Sequence, residues 1–380
     1  MSQFPLFKVF MSPDVIKPLS DKLLSGFITQ GPAVEEFENK LQKLFNHPYI
    51  LTLNSATAGL TLAIRLIKDK LKLNNDDEVI SCPLTCMATN LPIMANYLKI
   101  KWVDIDPKTG CINLEDLEKK LTNKTKIITF VHWGGYPVDV NELDIILERN
   151  KERLGFKPYV VEDCAHAFLS ELNGNFLGTQ NFGVFSLQAI KHLTTGDGGL
   201  IFCPDKEFYE KAKLLRWYGI DRDKRNYKKT DLRLEHDVED WGYKFHMNDI
   251  NATIGLNNLP YIPELIEKNR RNARIYDEEL KDIPGIVILN KFEENKKSAY
   301  WLYTILVEKK SEFIEFMKEK NITCSQVHQR NDVHTCFNEF KSSLPILDEF
   351  EKKIVCIPVG WWLEEKDIKY ISEQIRVFFG

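Results

Sequence analysis

The feature that most constrains the fold is an alternation of short apolar runs and amphipathic segments between residues 49 and 204 of the 380-residue chain. The apolar runs have the length of β-strands, and several intervening segments have the period of α-helices. The predicted strands are Tyr49–Leu53, Glu78–Ser81, Ile100–Ile105, Lys126–Val131, Tyr159–Asp163, Gly183–Leu187 and Gly199–Cys203. Buried strands that alternate with helices predict an α/β fold whose sheet is largely parallel and covered on both faces.

The pattern changes beyond Pro260, where a long polar helix is followed by short strands, one of them near Thr323–Val327. The last helix is predicted over Glu365–Phe379, because isoleucines recur along it at helical spacing. We therefore predict a large domain over residues 1–258 and a smaller α+β domain over residues 259–380. Ligands of open α/β sheets bind at the carboxyl ends of the strands, so motifs that directly follow strands are the candidate sites.

Charge and composition exclude several classes of protein. A formal net charge of -4 argues against a nucleic-acid partner, which requires a basic surface. No apolar run approaches the roughly 20 residues that span a bilayer, and the first residues lack the pattern of a signal peptide. Scattered cysteines favour reduced thiols, so we expect a cytoplasmic protein without a membrane partner. Cys82 and Cys86 have no second pair at zinc-ligand spacing, so no metal site is predicted.

The first candidate motif is LNSATAGL, Leu51–Leu60, in which a strand ends and a helix begins. Free backbone N–H groups at a helix N-terminus, together with hydroxyl groups, form a site for phosphate. The alternative is that Ser55 or Thr57 is a simple N-cap.

The second motif is VVEDCAHA, Val160–Ala167, in which Glu162 and Asp163 end an apolar strand. A buried carboxylate needs a partner, and a pyridinium N–H is one that would keep a cofactor ring protonated as an electron sink. The alternative is an aspartate that caps the next turn. His166 is either a packed polar residue or a donor to a ring hydroxyl.

The third motif is FSLQAIKHLTTGDGGL, Phe185–Leu200, in which Lys191 follows one apolar strand and precedes a glycine-rich turn. Burial lowers the pKa of a lysine, and the neutral amine is the nucleophile that forms Schiff bases. Ser186 on the same segment offers a hydroxyl to phosphate. A solvated loop lysine is the alternative. The chain has neither a GxxxxGK[ST] loop nor a GxGxxG turn between strand and helix, so ATPase and dinucleotide-binding hypotheses lack support.

Taken together, the motifs resemble those of the DegT/StrS family of nucleotide-sugar aminotransferases, over nearly the whole chain. The matching segments are SGFITQGPAVEEFE, NSATAGLTLA, CPLTCMATN, HWGGYP, EDCAHA, FSLQAIKHLTTGDGG and GYKFHMNDINATIG. The resemblance implies an aspartate-aminotransferase-like fold (PLP transferase type I) with a seven-stranded, mostly parallel sheet and a small C-terminal domain. It also implies a homodimer with active sites at the subunit interface. The implied cofactor is pyridoxal 5'-phosphate (PLP), with pyridoxamine 5'-phosphate as its form between the two half-reactions.

The resemblance also implies roles for single residues. Lys191 matches the Schiff-base lysine, and Asp163 matches the acid on the pyridine nitrogen. His166 lies where family members commonly have glutamine, near the ring hydroxyl.

The phosphate binders by resemblance are Ala56, Thr57 and Ser186, with Ala56 in place of a common glycine. Cys86 occupies the position where many members stack an aromatic ring on the cofactor.

In GYKFHMN, Lys244 and His246 replace a frequent asparagine and arginine. By resemblance, the loop that carries Lys244 reaches the active site of the other subunit, where an ammonium group would neutralise the cofactor phosphate. The alternative is a solvated surface lysine.

The implied reaction moves an amino group from glutamate to a nucleotide-linked keto-sugar. The expected substrate is a 4-keto-6-deoxyhexose on uridine or thymidine diphosphate, which would give a viosamine-like 4-amino-4,6-dideoxy sugar. His328, Gln329 and Arg330 are candidates for contacts with the sugar. Two alternatives are a sugar dehydratase on the same fold, whose members replace the lysine with histidine, and a catalytically silent regulator. Lys191 disfavours the dehydratase, although His192 is adjacent, and the Asp163–Lys191 pair disfavours the silent protein.

Overall fold

The computed structural model describes residues 3–224, 237–290 and 293–380. Its strands are β1 (Ile50–Leu53), β2 (Glu78–Ser81), β3 (Lys99–Trp102), β4 (Thr125–Val131), β5 (Tyr159–Asp163), β6 (Glu171–Leu172), β7 (Asn175–Phe176), β8 (Phe182–Ser186), β9 (Gly199–Phe202), β10 (Ile286–Ile288), β11 (Lys296–Lys297), β12 (Tyr303–Val307) and β13 (Ile354–Ile357). Its α-helices are α1 (Ile16–Ser25), α2 (Pro32–Phe45), α3 (Ala56–Leu71), α4 (Met87–Ala95), α5 (Leu114–Lys120), α6 (Val140–Leu154), α7 (Lys206–Leu215), α8 (Asp249–Asn258), α9 (Ile262–Leu280), α10 (Lys310–Glu319), α11 (Pro345–Glu351) and α12 (Glu365–Phe379).

The large sheet has seven strands in the order β1-β9-β8-β5-β4-β2-β3. The pairings from β3 across to β8 are parallel, whereas β9 runs antiparallel to both β8 and β1. All seven predicted strands of this sheet are present with ends shifted by a few residues, which confirms the predicted fold class. Because β1 points the same way as β8, the carboxyl ends of β1, β2, β4, β5 and β8 share one edge of the sheet.

The C-terminal part of the chain forms an antiparallel sheet in the order β10-β12-β13, against which α9, α10 and α12 pack. The predicted helix over Glu365–Phe379 is confirmed, and its isoleucines are buried in a second apolar core. The predicted boundary between residues 258 and 259 falls between α8 and α9 and stays a prediction. None of the described helices has the length and apolar character needed to cross a membrane.

The strand predicted over Thr323–Val327 is wrong. Only isolated bridges form there, between Ile322 and Phe4 and between Ser325 and Cys356. Val327 has a φ of 69°, a left-handed conformation that interrupts an extended strand and is unusual for a β-branched side chain. In the apolar run that starts at Tyr300, β12 begins only at Tyr303, because Tyr300 has a left-handed φ of 45°.

Candidate active site

The candidate site lies at the edge of the large sheet where parallel strands end. Asp163 is the last residue of β5, and it pairs in register with Val184 of β8 and Val131 of β4. The loop after β8 carries Lys191, and the turn after β1 begins α3. The topology therefore brings the three sequence motifs to one edge of one sheet.

Lys191 supplies an amine that is largely removed from water and has no ionic partner. Its Nζ lies 3.4 Å from the centroid of a Trp301 ring, and it forms no hydrogen bond or ion pair with the described residues. Desolvation lowers the pKa of Lys191 to about 7, although the carboxylate of Asp163 acts in the opposite direction. A substantial fraction of the amine is therefore neutral, and so nucleophilic, near neutral pH.

Asp163 is a buried carboxylate with two protein donors. Its Oδ1 accepts the Ala165 backbone N–H at 3.0 Å, and its Oδ2 accepts the Thr89 hydroxyl at 2.7 Å. Burial raises the pKa of Asp163, although both hydrogen bonds and the charge of Lys191 act against this shift. Each carboxylate oxygen can accept more than one hydrogen bond, so capacity remains for the N–H of a ligand.

Two histidines and a tryptophan form a ring stack beside Lys191. The centroids of His166 and Trp301 are 3.9 Å apart with an interplanar angle of 23°, and His328 lies 5.7 Å from His166 in a nearly parallel plane. Burial is the main cause of a lowered pKa in both histidines. It lowers the pKa of His166 well below its usual value and that of His328 to about 4, so both rings are neutral. Within the part of the chain that the structure describes, His166 Nδ1 and His328 Nε2 are buried without a hydrogen-bond partner. Both atoms are therefore free to bond a polar ligand.

The start of α3 provides donors for an anion. Ser55 is the N-cap, and its hydroxyl accepts the Ala58 N–H at 3.1 Å, which confirms the simple capping role for this serine. The N–H groups of Ala56 and Thr57 precede the first intrahelical bonds and so remain free for an anion. A Cβ on Gly199 would lie 2.4 Å from the Ser55 carbonyl carbon, so only glycine lets β9 pack against this turn.

The other predicted cofactor residues occupy the margin of the site. Ser186 is partly exposed, and its hydroxyl accepts the Gln188 N–H at 3.3 Å. Cys86 is the exposed N-cap of α4 and lies near enough to Lys191 to affect its pKa. Lys244 is exposed, and its ammonium group has no partner among the described residues. The Lys244 carbonyl accepts the Asn54 side-chain N–H at 3.2 Å, which holds this loop beside the end of β1.

The structure separates the three C-terminal candidates. His328 lies in the ring stack, whereas Gln329 is exposed. Arg330 is buried, and its guanidinium group binds both carboxylate oxygens of Asp332 and one of Asp348. These pairs already occupy its guanidinium group, and its contact with the sugar stays a prediction.

Sequence reasoning missed Trp301 and Thr89. Trp301 donates its indole N–H to the Ile190 carbonyl at 2.9 Å and its backbone N–H to Gly134 at 2.9 Å, so it supports the lysine loop directly. Thr89 contacts Asp163, and its hydroxyl lies 2.7 Å from that of Thr85. The only signal for this pair was the presence of two threonines in CPLTCMATN, and in the structure Thr85 precedes the N-cap of α4 whereas Thr89 lies in its first turn.

Glu162 points to the opposite face of β5 from Asp163. Its carboxylate lies 3.0 Å from His132 Nε2 and accepts the Gly178 N–H at 3.1 Å and the Asn181 side-chain N–H at 2.9 Å. His132, Glu162 and Cys164 bring potential metal ligands within 4.8 Å of one another. His132 Nδ1 accepts the Val138 N–H, so its Nε2 carries the proton that Glu162 accepts, and this set serves as a hydrogen-bonded support.

The residues present fit PLP. Its aldehyde requires a neutral amine, and its ring nitrogen requires a buried acceptor with spare capacity. Its hydroxyl can bond an unpartnered imidazole nitrogen, and its phosphate can bind free helix N–H groups.

Comparisons with known proteins agree with this geometry. Residues 11–376 match the model of the DegT/DnrJ/EryC1/StrS aminotransferase family. The structure is similar to AtS13 from Actinomadura melliaura, with 42% identity, a TM-score of 0.93 and 99% of each chain covered. It is also similar to the sugar aminotransferase CalS13 from Micromonospora echinospora, with 39% identity, a TM-score of 0.93 and coverage of 99% and 100%. GDP-perosamine synthase of Escherichia coli O157:H7 is 29% identical over the full length of both chains. The chain therefore belongs to the DegT/DnrJ/EryC1/StrS family and is a PLP-dependent sugar aminotransferase.

Proposed function

We propose that this aminotransferase moves an amino group from glutamate to a 4-keto-6-deoxyhexose linked to uridine or thymidine diphosphate. The product is a viosamine-like 4-amino-4,6-dideoxy sugar nucleotide. The observation that carries the proposal is the unpaired Lys191 amine, with a pKa of about 7, which lies on the Trp301 ring beside His166 and His328 and within electrostatic reach of Asp163. A relative named GDP-perosamine synthase supports a nucleotide-linked sugar as the acceptor.

When bound, PLP supplies an electron sink for a carbanion at the reacting carbon. Asp163 would hold the ring nitrogen, His166 the ring hydroxyl, and the N-terminus of α3 the phosphate. In its neutral form, Lys191 Nζ takes the proton from the α-carbon of the amino donor as a general base. His328, with its unpartnered Nε2, faces the same space and would bind a polar group of the substrate.

An exposed apolar surface supports a homodimer. Ile16, Leu24 and Phe27 lie on or just after α1 and are 74%, 85% and 79% exposed. Large apolar side chains that are concentrated on one segment and left exposed favour an interaction surface. We propose that a second copy of the chain covers it, and that the protein works in the cytoplasm, where its free cysteines remain reduced.

A substrate screen tests the proposed reaction. The purified protein with PLP and glutamate should show the absorption change from the lysine-bound cofactor to the amine form. A panel of keto-sugar nucleotides should then restore the first spectrum, and mass spectrometry identifies the aminated product. The UDP- or dTDP-linked 4-keto-6-deoxyhexose should react fastest. Preference for a 3-keto-sugar or for another nucleotide would refute the proposed substrate.

A Lys244→Ala variant should bind PLP more weakly, because a phosphate dianion held only by helix N–H groups and hydroxyls keeps charge that one ammonium would neutralise. Dilution that separates the dimer should have the same effect. Titration of the apoprotein with PLP, followed by absorption, measures the loss.

Subunit mixing tests whether Lys244 acts across the interface. If it does, each mixed dimer of Lys244→Ala and Lys191→Ala subunits has one site with both changes and one intact site. At a PLP concentration that loads the parent but not the Lys244→Ala homodimer, random re-formation should then recover about one quarter of the parent activity, since half of the dimers are mixed and each has one intact site of two. If Lys244 serves its own subunit, every site carries one change and no recovery follows.

A further inference from the structure

A buried pair of hydroxyl groups leads away from Asp163 and is not used by the proposed reaction. Thr89 Oγ1 lies 2.7 Å from Asp163 Oδ2 and 2.7 Å from Thr85 Oγ1, and all three side chains are at most 3% exposed. We infer that Thr89, supported by Thr85, is a positioning residue that keeps Asp163 ionised and aimed at the ring nitrogen of PLP. This inference rests on the proposed role of Asp163 in cofactor binding.

The direction of the hydrogen bonds follows from the inventory of protons. An ionised carboxylate only accepts, so Thr89 must give its single hydroxyl proton to Asp163. Thr89 can then only accept from Thr85, which orients the second hydroxyl. The two threonines therefore act as one oriented donor, and bonds in such a chain strengthen one another in a low dielectric.

The position of Thr89 at the start of α4 leaves its hydroxyl for Asp163. Thr89 lies in the first turn after the N-cap Cys86, and the carbonyl four residues earlier, that of Thr85, belongs to the loop before the helix. That carbonyl accepts the Asn331 side-chain N–H at 2.8 Å. Asn331 also donates its backbone N–H to the Pro83 carbonyl and accepts from Asn90, at 2.8 and 2.7 Å. Asn331 thus fixes the loop that carries Thr85 beside Thr89.

The groups that face Asp163 determine how strongly its pKa depends on the Thr89 hydroxyl. Lys191, on the loop after β8, favours the carboxylate, as do the donors Thr89 and Ala165. His132, at the end of β4, also faces Asp163, but its Nδ1 accepts the Val138 N–H, so its ring is neutral. Burial outweighs them and leaves the pKa of Asp163 raised. Loss of one strong donor should therefore raise this pKa further, and Asp163 would then be protonated at a higher pH.

The test compares Thr89→Val, which keeps the shape but lacks the hydroxyl, with Thr89→Ser, which keeps the hydroxyl. The affinity of the apoprotein for PLP is measured by absorption as a function of pH. Thr89→Val should weaken binding by about tenfold or more at neutral pH, the usual effect of a lost hydrogen bond to a charged group. The pH at which affinity falls on acidification should move upward. Thr89→Ser should stay within about twofold of the parent.

The inference would be overturned if the serine and valine variants bound PLP equally well at every pH. It would also be overturned if the pH at which affinity falls on acidification were the same in Thr89→Val as in the parent. If the Thr89→Val variant does not fold, Thr85→Val provides the test, because it removes the proton donated to Thr89. It should raise the pH at which PLP affinity falls on acidification, by less than Thr89→Val would. No change of this pH in Thr85→Val would then overturn the inference. These measurements use PLP alone, so they hold even if no keto-sugar nucleotide proves to be a substrate.

Discussion

A Lys191→Ala variant should fold normally and lose about 10⁴-fold or more of its transamination rate. The fold should survive because Lys191 Nζ has no hydrogen bond or ion pair with the described residues, so its removal leaves no buried group unpaired. The rate should collapse because, in the proposed reaction, the same amine binds the cofactor covalently and carries the proton of the reacting carbon. Steady-state turnover with glutamate and a keto-sugar nucleotide, and thermal unfolding of the apoprotein, measure the two effects.

Lys191→Arg is the matched control. Arginine keeps the positive charge near the Trp301 ring, but its guanidinium group has a pKa above about 12 and neither attacks an aldehyde nor accepts a proton. It should be as inactive as the alanine variant. Turnover above about 1% of the parent in either variant, without added amine, would contradict the assignment of Lys191, because such a residue supplies at least a hundredfold.

The positions of Lys191 and Asp163 were predictable because Asp163 ends one buried strand and Lys191 lies on the loop after another. Parallel strands bring their carboxyl ends to one edge, so the sequence distance between β5 and β8 did not matter. Trp301 was not predictable in this way. It lies in an apolar run typical of a core strand, and only packing between distant parts of the chain places its ring under the lysine.

Arg330 shows the converse limit of sequence reasoning. Arg330 was one of three candidates for contact with the sugar, yet its guanidinium group pairs with Asp332 and Asp348 of the same C-terminal region. Side chains of neighbouring residues point in different directions, and the local turn decides which of them faces the site. Here the left-handed Val327 directs the chain so that His328 faces Trp301 while Gln329 is exposed.

Asp163→Asn should lower kcat by about 10²- to 10³-fold while changing KM for glutamate little. The amide cannot hold a proton on the pyridine nitrogen, so the ring would stabilise the carbanion poorly, whereas the phosphate site at α3 would still bind the cofactor. Rapid-mixing absorption with glutamate measures the half-reaction without the sugar. A rate within about threefold of the parent, a change of less than ~1 kcal/mol, would exclude Asp163 as the ring partner.

The same substitution should stabilise the apoprotein above the titration range of Asp163. Burial raises the pKa of this group in the folded chain, so the ionised carboxylate lowers stability progressively as pH rises from the unfolded to the folded pKa. Asparagine has no charge to desolvate. Its Oδ1 can still accept from Ala165, and its Nδ2 can donate to Thr89, whose hydroxyl then turns toward Thr85. The melting temperatures of the variant and the parent should therefore differ least near pH ~4, and the variant should melt at the higher temperature at neutral pH. This is the result expected where a functional site maintains a charge that destabilises the fold. A lower melting temperature of the variant at neutral pH would mean that ionised Asp163 stabilises the fold. The charge of Asp163 would then need no cofactor to explain it.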